Sequence, residues 1–293
     1  IEHNAFPSDR YAAQSQLKFH GNHPIDDLII LTPDDGANIT TNEILDYFDQ
    51  HGEEIAMVLI GGVNYYTGQA FNMKAITNKA HEYNCLVGFD LAHATGNARL
   101  KLHDWGMDFA TWCGYKYLNG GPGAPSGVFI NEVHLGKTDI PRFEGWWGHD
   151  KSTRFEMPDE FIPIDTAEAW QLSNPSILAM APLLASLEIF HEVGMENLIK
   201  KSNKLTKYLE KLILTELGAT IEIITPTNPS DRGCQLSLRL VNLMPNIMDK
   251  LRDLGIIADW REPDVIRIAP VPLYNTFVEC YEFTHRLKTI LNE

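Results

Sequence analysis

Basic residues are scarce in this chain. Its 293 residues include 24 Lys and Arg against 39 Asp and Glu, a formal charge of −15. Such a surface repels phosphate backbones and anionic membranes, which argues against nucleic-acid or membrane-surface partners. Cysteine is scarcer still. Cys85, Cys113, Cys234 and Cys280 lie far apart with no CxxC spacing, and two fall in apolar runs. They read as reduced, mostly buried thiols of an intracellular protein. Long apolar runs are also missing: IAMVLIGGV at 55–63 is the longest and is too short to span a bilayer. The opening IEHNAFPSDRY has no charged-then-apolar pattern, so a cytoplasmic location is expected. It has no initial Met either, from which trimming or a fragment is expected. Internal repeats and low-complexity segments are absent, and the least structured stretch is a turn, NPSDRG at 228–233.

What is present is an alternation of apolar strands and amphipathic helices. A hydrophobic share of 44% with 10% aromatics suits a globular enzyme with one large or two modest domains. Strands are expected at DDLIILTP (26–33), IAMVLIGGV (55–63), CLVGFDLAH (85–93), DFATWCGYK (108–116) and GVFINEV (127–133). Helices are expected at 40–52, where Thr40 and Glu43 have capping-box spacing, and at 71–84. This pattern predicts an α/β fold with a parallel sheet covered on both faces. Ligands bind such sheets at the carboxyl ends of the strands. The pattern changes at SNPSILAMAPLLASLEIFHEVG (173–194), with a helix start expected at Asn174 and Pro175. Strands at 220–226, 234–241, 256–261 and 265–270 then mix with helices at 245–255 and 277–292. The expected division is a large domain over residues 1–172, then an interdomain helix and a small α+β domain over 173–293.

Asp90 closes one apolar run and Lys116 lies inside the next, among Trp112, Tyr115 and Tyr117. Ammonium groups avoid apolar surroundings unless something removes their charge. A Schiff base with an aldehyde does that, and a carboxylate on a neighbouring strand could keep the cofactor's ring nitrogen protonated. Together the two residues describe a site for pyridoxal 5'-phosphate (PLP). The competing readings are a lysine that snorkels from a strand end and an aspartate that caps a turn. GGPG at 120–123 favours the site, since glycines let a backbone approach a bulky ligand. His93 either flanks a cofactor ring or is a satisfied core histidine. A metal reading would take Asp90, His93, His103 and Asp104, but neither HExxH nor a cysteine-pair spacing supports it. Arg267, central in VIRIAP, either reaches solvent or offers a planar fork to a substrate carboxylate. Phe6, taken alone, reads as core. Trp146 and Trp147 stand in a Gly-flanked loop, where tryptophans mark an interface or a ligand.

FPSDRYA, GGVNYYTGQ, GFDLAHATGNARLKLHDWGMDFATWCGYKYLNGGPG, GWWGHD, RGCQLS and IRIAPVPLYN together resemble the kynureninase family. That family belongs to the fold-type-I PLP enzymes of the aminotransferase class V group. The similarity runs from residue 2 to the C-terminus. It implies a mostly parallel sheet with helices on both faces, and a smaller α+β domain. The implied reaction is hydrolysis of L-kynurenine or 3-hydroxykynurenine to an anthranilate and L-alanine, in tryptophan catabolism and NAD biosynthesis. By motif, Lys116 would carry the cofactor, and Tyr115 would contact its phosphate and relay protons. Asp90 would pair with the ring nitrogen, beside His93, while Phe6 would stack on the ring near Asp9. Arg267 would hold the substrate carboxylate. The resemblance also implies a homodimer with shared sites, Trp146 reaching the cofactor and Ser173 and Asn174 the substrate from the partner subunit. Members of the family carry a segment ahead of the FPSD motif that this sequence lacks, and it is implied to supply a phosphate site and part of the aromatic pocket. A class V aminotransferase or cysteine desulfurase would share Asp90, His93 and Lys116; the desulfurase needs a mobile thiol, for which Cys234 is a poor candidate. An inactive fragment is the non-enzymatic alternative.

Overall fold

A computed structural model describes residues 1–34 and 36–292 of the chain. Helix α1 (Pro7–Phe19) opens on a proline, whose fixed φ suits a first turn, with Asp9 in that turn. A one-turn helix, α2 (Pro24–Asp27), follows. The strand expected at 26–33 is therefore corrected: Leu31 makes only a single parallel bridge, to Glu2. Local chemistry outweighs the apolar pattern there. Pro24 starts the turn, and the Asp27 carboxylate accepts a 2.6 Å hydrogen bond from the backbone N–H of His23.

Helix α3 (Thr41–His51) carries the expected capping box, with both Thr40–Glu43 bonds formed, and buries Ile44 and Phe48. It is followed by β1 (Met57–Gly61), α4 (Met73–Glu82), β2 (Leu86–Asp90), β3 (Phe109–Trp112) and β4 (Gly127–Ile130). The strands lie in that order in one sheet, β1, β2 and β3 parallel and β4 antiparallel to β3. The sheet is thus mixed and mostly parallel. Its core joins Ile44 and Phe48 to Ile76 of α4 and to Val87 and Phe89 of β2.

Beyond it come α5 (Ile177–Val193) and α6 (Met195–Leu217). The first starts later than Asn174 and Pro175, because Ser176 stays extended as its N-cap. The second sheet has the order β5 (Ile221–Ile223), β6 (Leu236–Leu240), β8 (Val265–Ile268) and β7 (Asp259–Arg261), antiparallel throughout. Helix α7 (Ile247–Asp253) precedes β7, and α8 (Phe277–Leu291) closes the chain. Leu205, Leu209 and Ile213 of α6 pack with Leu236, Leu238, Ile266 and Leu287 in a second core. Among the described residues no single helix is long and apolar enough to cross a membrane; α5 and α6 would qualify only together, and they are bent by 84°.

The two sheets are joined through the loop after β1. Tyr65 and Tyr66 offer carbonyls to Gln235 Nε2 (3.0 Å) and Ser237 Oγ (2.5 Å), and Thr67 offers its own to Thr225 Oγ1 (2.5 Å). Gln69 bridges to Arg232, whose guanidinium forks onto Glu210 of α6 at 3.0 and 2.9 Å. Asn97 completes the tie. It donates to the His93 carbonyl and accepts from Cys234 N–H, both at 2.9 Å. Gly233 makes this approach possible, since a Cβ there would lie 2.2 Å from Asn97 Nδ2. The Arg232–Glu210 pair is buried, so removing one partner strands a charge. Arg232→Leu is expected to cost about 3–5 kcal/mol, read from the urea unfolding midpoint. A loss below about 1 kcal/mol, the range of exposed pairs, would mean that Glu210 finds water instead.

Candidate active site

The loops after β1 and β2, the turn after β3 and the second half of β8 line one cavity of about 620 Å³, and the carboxyl ends of β1 and β2 reach a small recess beside it. Asp90 is the last residue of β2, paired in register with Gly61. Its Oδ1 accepts a 2.7 Å bond from Ala92 N–H, so the turn-capping role holds. Lys116 lies beyond the strand expected to contain it, in a turn after Trp112, and its Nζ stands 5.6 Å from the centre of the Phe6 ring. Phe6 is the N-cap of α1 and meets Tyr65 edge-on at 5.1 Å. It faces the cavity, where reading it alone had placed it in the core.

The electrostatics of the site are uneven. Asp9 of α1 lines a small recess with Glu2, Asp90, His93 and Lys116. Burial first, and then the negative charge of Asp90 beside it, push the Asp9 carboxyl up to about 8. Burial also raises Glu2, which accepts a 3.1 Å bond from Gly61 N–H. His93 moves the other way. Burial, followed by the positive charges of Lys116, Arg267 and Arg261, lowers its imidazole to about 3, so the ring is neutral at physiological pH. It meets Tyr117 edge-on at 5.8 Å, and its buried Nδ1 has no hydrogen-bond partner.

Arg267 enters from the second sheet. It donates through Nε to Asp259 Oδ2 at 2.6 Å and through Nη1 to the Tyr65 carbonyl, and its Nη2 forms an ion pair with the same Asp259 oxygen. Tyr115 also lines the cavity, half in solvent. Phe6, Asp9, Asp90, His93, Tyr115, Lys116 and Arg267 are thus brought together. Trp146, Ser173 and Asn174 are not. Trp146 donates through Nε1 to the Arg154 carbonyl at 3.1 Å, and Ser173 donates to Asn174 Oδ1 at 3.1 Å on an exposed segment.

Two sequence readings change. Gly121 and Gly123 do not line the cavity; they adopt φ of +77° and +79°, which turns the chain in a region that favours glycine. The alternative metal set is divided: Asp90 and His93 lie inside, whereas exposed His103 pairs with Asp104 and Glu132 at the surface. Cys234 is fully buried, with its thiol pushed up to about 12 by burial, which is the opposite of a mobile nucleophile.

Residues 198–287 match the family model described as the kynureninase C-terminal domain. The chain is 52% identical over 293 residues to a kynureninase of Koribacter versatilis, covering 100% of this chain and 69% of that protein. A kynureninase of Christiangramia forsetii is 53% identical over 291 residues, covering 98% of this chain and 68% of its own length. The chain belongs to the kynureninase family. Among solved structures, the apo cysteine desulfurase of Thermococcus onnurineus superposes with a TM-score of 0.76 at 16% identity, over 97% of this chain and 70% of that one. The cystine C–S lyase C-DES, in complex with cysteine persulfide, gives 0.78 at 16%, over 98% and 74%. At that identity the likeness concerns the fold, which is the fold-type-I architecture expected from the sequence.

Within this kynureninase-family site, sequence reading missed Tyr65, Tyr117, Asp259 and Arg261, all of which line the cavity. Tyr65 had a usable signal, because it follows the carboxyl end of β1 as the Lys116 turn follows that of β3. Asp259 and Arg261 had none, since their strand is short and its register with β8 is not written in spacing. The protonated Asp9 carries a consequence for stability. The folded chain holds a proton there that the unfolded chain releases above the ordinary value of 3.8. Stability of cofactor-free protein is therefore expected to fall as pH rises from about 4 to about 8, with Glu2 adding to the slope, and Asp9→Asn should reduce it. Urea midpoints across that window test this; a slope unchanged in Asp9→Asn would place the proton elsewhere.

Proposed function

We propose that the protein is a PLP-dependent hydrolase that cleaves the Cβ–Cγ bond of L-kynurenine or 3-hydroxy-L-kynurenine, giving anthranilate or 3-hydroxyanthranilate and L-alanine. The observation that carries this reading is the placing of Lys116, which lines one cavity with Arg267 and the adjoining recess with Asp90, so that an amine stands with a guanidinium and a carboxylate drawn from two sheets. The residues fit the cofactor. Asp90 has one oxygen committed to Ala92 and a second towards the Asp9 recess, and His93 offers a neutral ring with an orphaned nitrogen. When bound, PLP supplies a carbonyl that condenses with the substrate amine and a ring that takes up electrons.

The roles of the chain's own residues follow. Lys116 would hold the cofactor and, once freed, move the proton at Cα. Asp90 would keep the ring nitrogen protonated, with Asp9 supporting that carboxylate and Phe6 and His93 flanking the ring. Arg267 would bind the substrate carboxylate as a fork. Tyr115 would contact the phosphate and return a proton to Cβ after water adds at the γ-carbonyl. Its phenol is held above the usual value by Cys113 and then by burial, which keeps it a donor at neutral pH.

Residues 1–172 would form the cofactor-binding domain, and 173–293 the interdomain helix and the small domain that brings Arg267. We further infer a cytoplasmic homodimer with shared sites. Two observations support it. Trp146, Ser173 and Asn174 lie apart from the cavity of their own chain, and α5 leaves Ile177, Leu178, Leu184 and Ile189 exposed while burying only Ser186 and Phe190. In that assembly Trp146 and Asn174 would reach the partner's cofactor, and Ser173 and Asn174 its substrate.

Release of anthranilate from kynurenine, with borohydride fixation of the cofactor and peptide mapping, tests the assignment of Lys116. Lys116→Ala should abolish both, and a cofactor adduct on another lysine would overturn it. Asp90→Asn should lower kcat by about a hundredfold or more with little change in substrate binding; an unchanged kcat would make Asp90 structural. Mixing inactive Lys116→Ala chains with Asn174→Ala chains should restore part of the activity through hybrid sites. No recovery in demonstrably mixed dimers would confine the residues to one subunit.

A further inference from the structure

Arg267 does not stand alone in the cavity wall. It faces Asp259 in register across the antiparallel β7–β8 pair, and its side chain is 11% exposed. A guanidinium has five N–H groups. Asp259 takes the one on Nε and pairs with Nη2, and the Tyr65 carbonyl takes one on Nη1. Each terminal nitrogen keeps at least one N–H, which is the complement of a carboxylate. The same Asp259 oxygen also lies 3.2 Å from Arg261 Nη2. Both guanidinium groups sit over the Tyr65 ring, at 5.8 and 5.7 Å.

We propose that Asp259 is a positioning residue that fixes the Arg267 guanidinium for the substrate carboxylate, with Arg261 giving the trio of side chains its net positive charge. The proposal rests on the reading of Arg267 as the carboxylate fork. With Asp259 and Arg267 alone, an incoming carboxylate would meet a neutral pair. Arg261 restores one net positive charge to the trio. Orientation comes from Asp259 and Tyr65, and attraction from the second arginine. A long side chain held by two hydrogen bonds and an ion pair also loses little freedom when ligand arrives, so more of the contact appears as affinity.

Calorimetric titration of the cofactor-loaded protein with L-alanine and with L-alaninamide tests this, because the two ligands differ only in the carboxylate. The wild type should favour alanine by about tenfold or more, the size of a charge-assisted hydrogen bond. Asp259→Ala should weaken alanine about tenfold and leave alaninamide unchanged, while Asp259→Asn, which keeps an acceptor, should lose less. Arg261→Gln should also weaken alanine alone. In turnover, KM for kynurenine should rise in Asp259→Asn while kcat holds within about threefold. If Asp259→Ala does not fold, the asparagine variant and Arg261→Gln carry the test. Equal losses for both ligands, or discrimination that survives in the variants, overturn the positioning role. A wild type that does not discriminate overturns the reading of Arg267, and this proposal with it.

Discussion

The carbonyl of Tyr65 is the point on which the site depends. It leaves the first sheet at the end of β1 and accepts hydrogen bonds from Gln235 and Arg267 of the second. A buried carbonyl needs a partner, and here both partners lie far along the chain. The same loop is fixed again at Tyr66 and Thr67 and, through Gln69, beside the Arg232–Glu210 pair. These bonds are individually worth about 1 kcal/mol, yet together they set where Arg267 stands relative to Lys116. The polar seam therefore does for function what the two apolar cores do for folding.

The chemistry of the cavity follows from an imbalance. Glu2, Asp9 and Asp90 crowd the recess beside it, Arg261 and Arg267 line the cavity itself, and Lys116 lines both. Burial resolves the crowding differently on each side. On the acidic side Asp9 keeps its proton, and on the basic side His93 gives its proton up. Asp90 thus shares its recess with a neutral acid and a neutral imidazole, which is the setting of the proposed pairing with a ring N–H.

Legibility from sequence tracked locality. The helix at 41–51 was readable because Thr40 and Glu43 write its start, and β2 because its continuous apolar run means burial on both faces. Asp90, Lys116 and Arg267 stood out as charges inside apolar runs. The false strand at 26–33 arose because the apolar pattern said nothing of Pro24 and the Asp27 cap. Asp259 could not be read at all. Its role comes from cross-strand register with Arg267, set by β8 pairing with β6 as well as β7. Trp146 drew notice as a tryptophan in a Gly-flanked loop, whereas the role proposed for Asn174 came only from the family resemblance, and nothing in their own chain brings either to the cavity.

The bond from Ala92 N–H to Asp90 Oδ1 fixes more than a turn. The NH2 of a carboxamide cannot accept a hydrogen bond, so this donor decides which way an amide at this position would turn. An asparagine would keep its oxygen on Ala92 and direct its NH2 group into the recess. The recess would then meet an amide N–H where it now meets a carboxyl oxygen. A single backbone N–H two residues on thus makes an acid and its amide unequal at position 90, independently of the charge that acid carries.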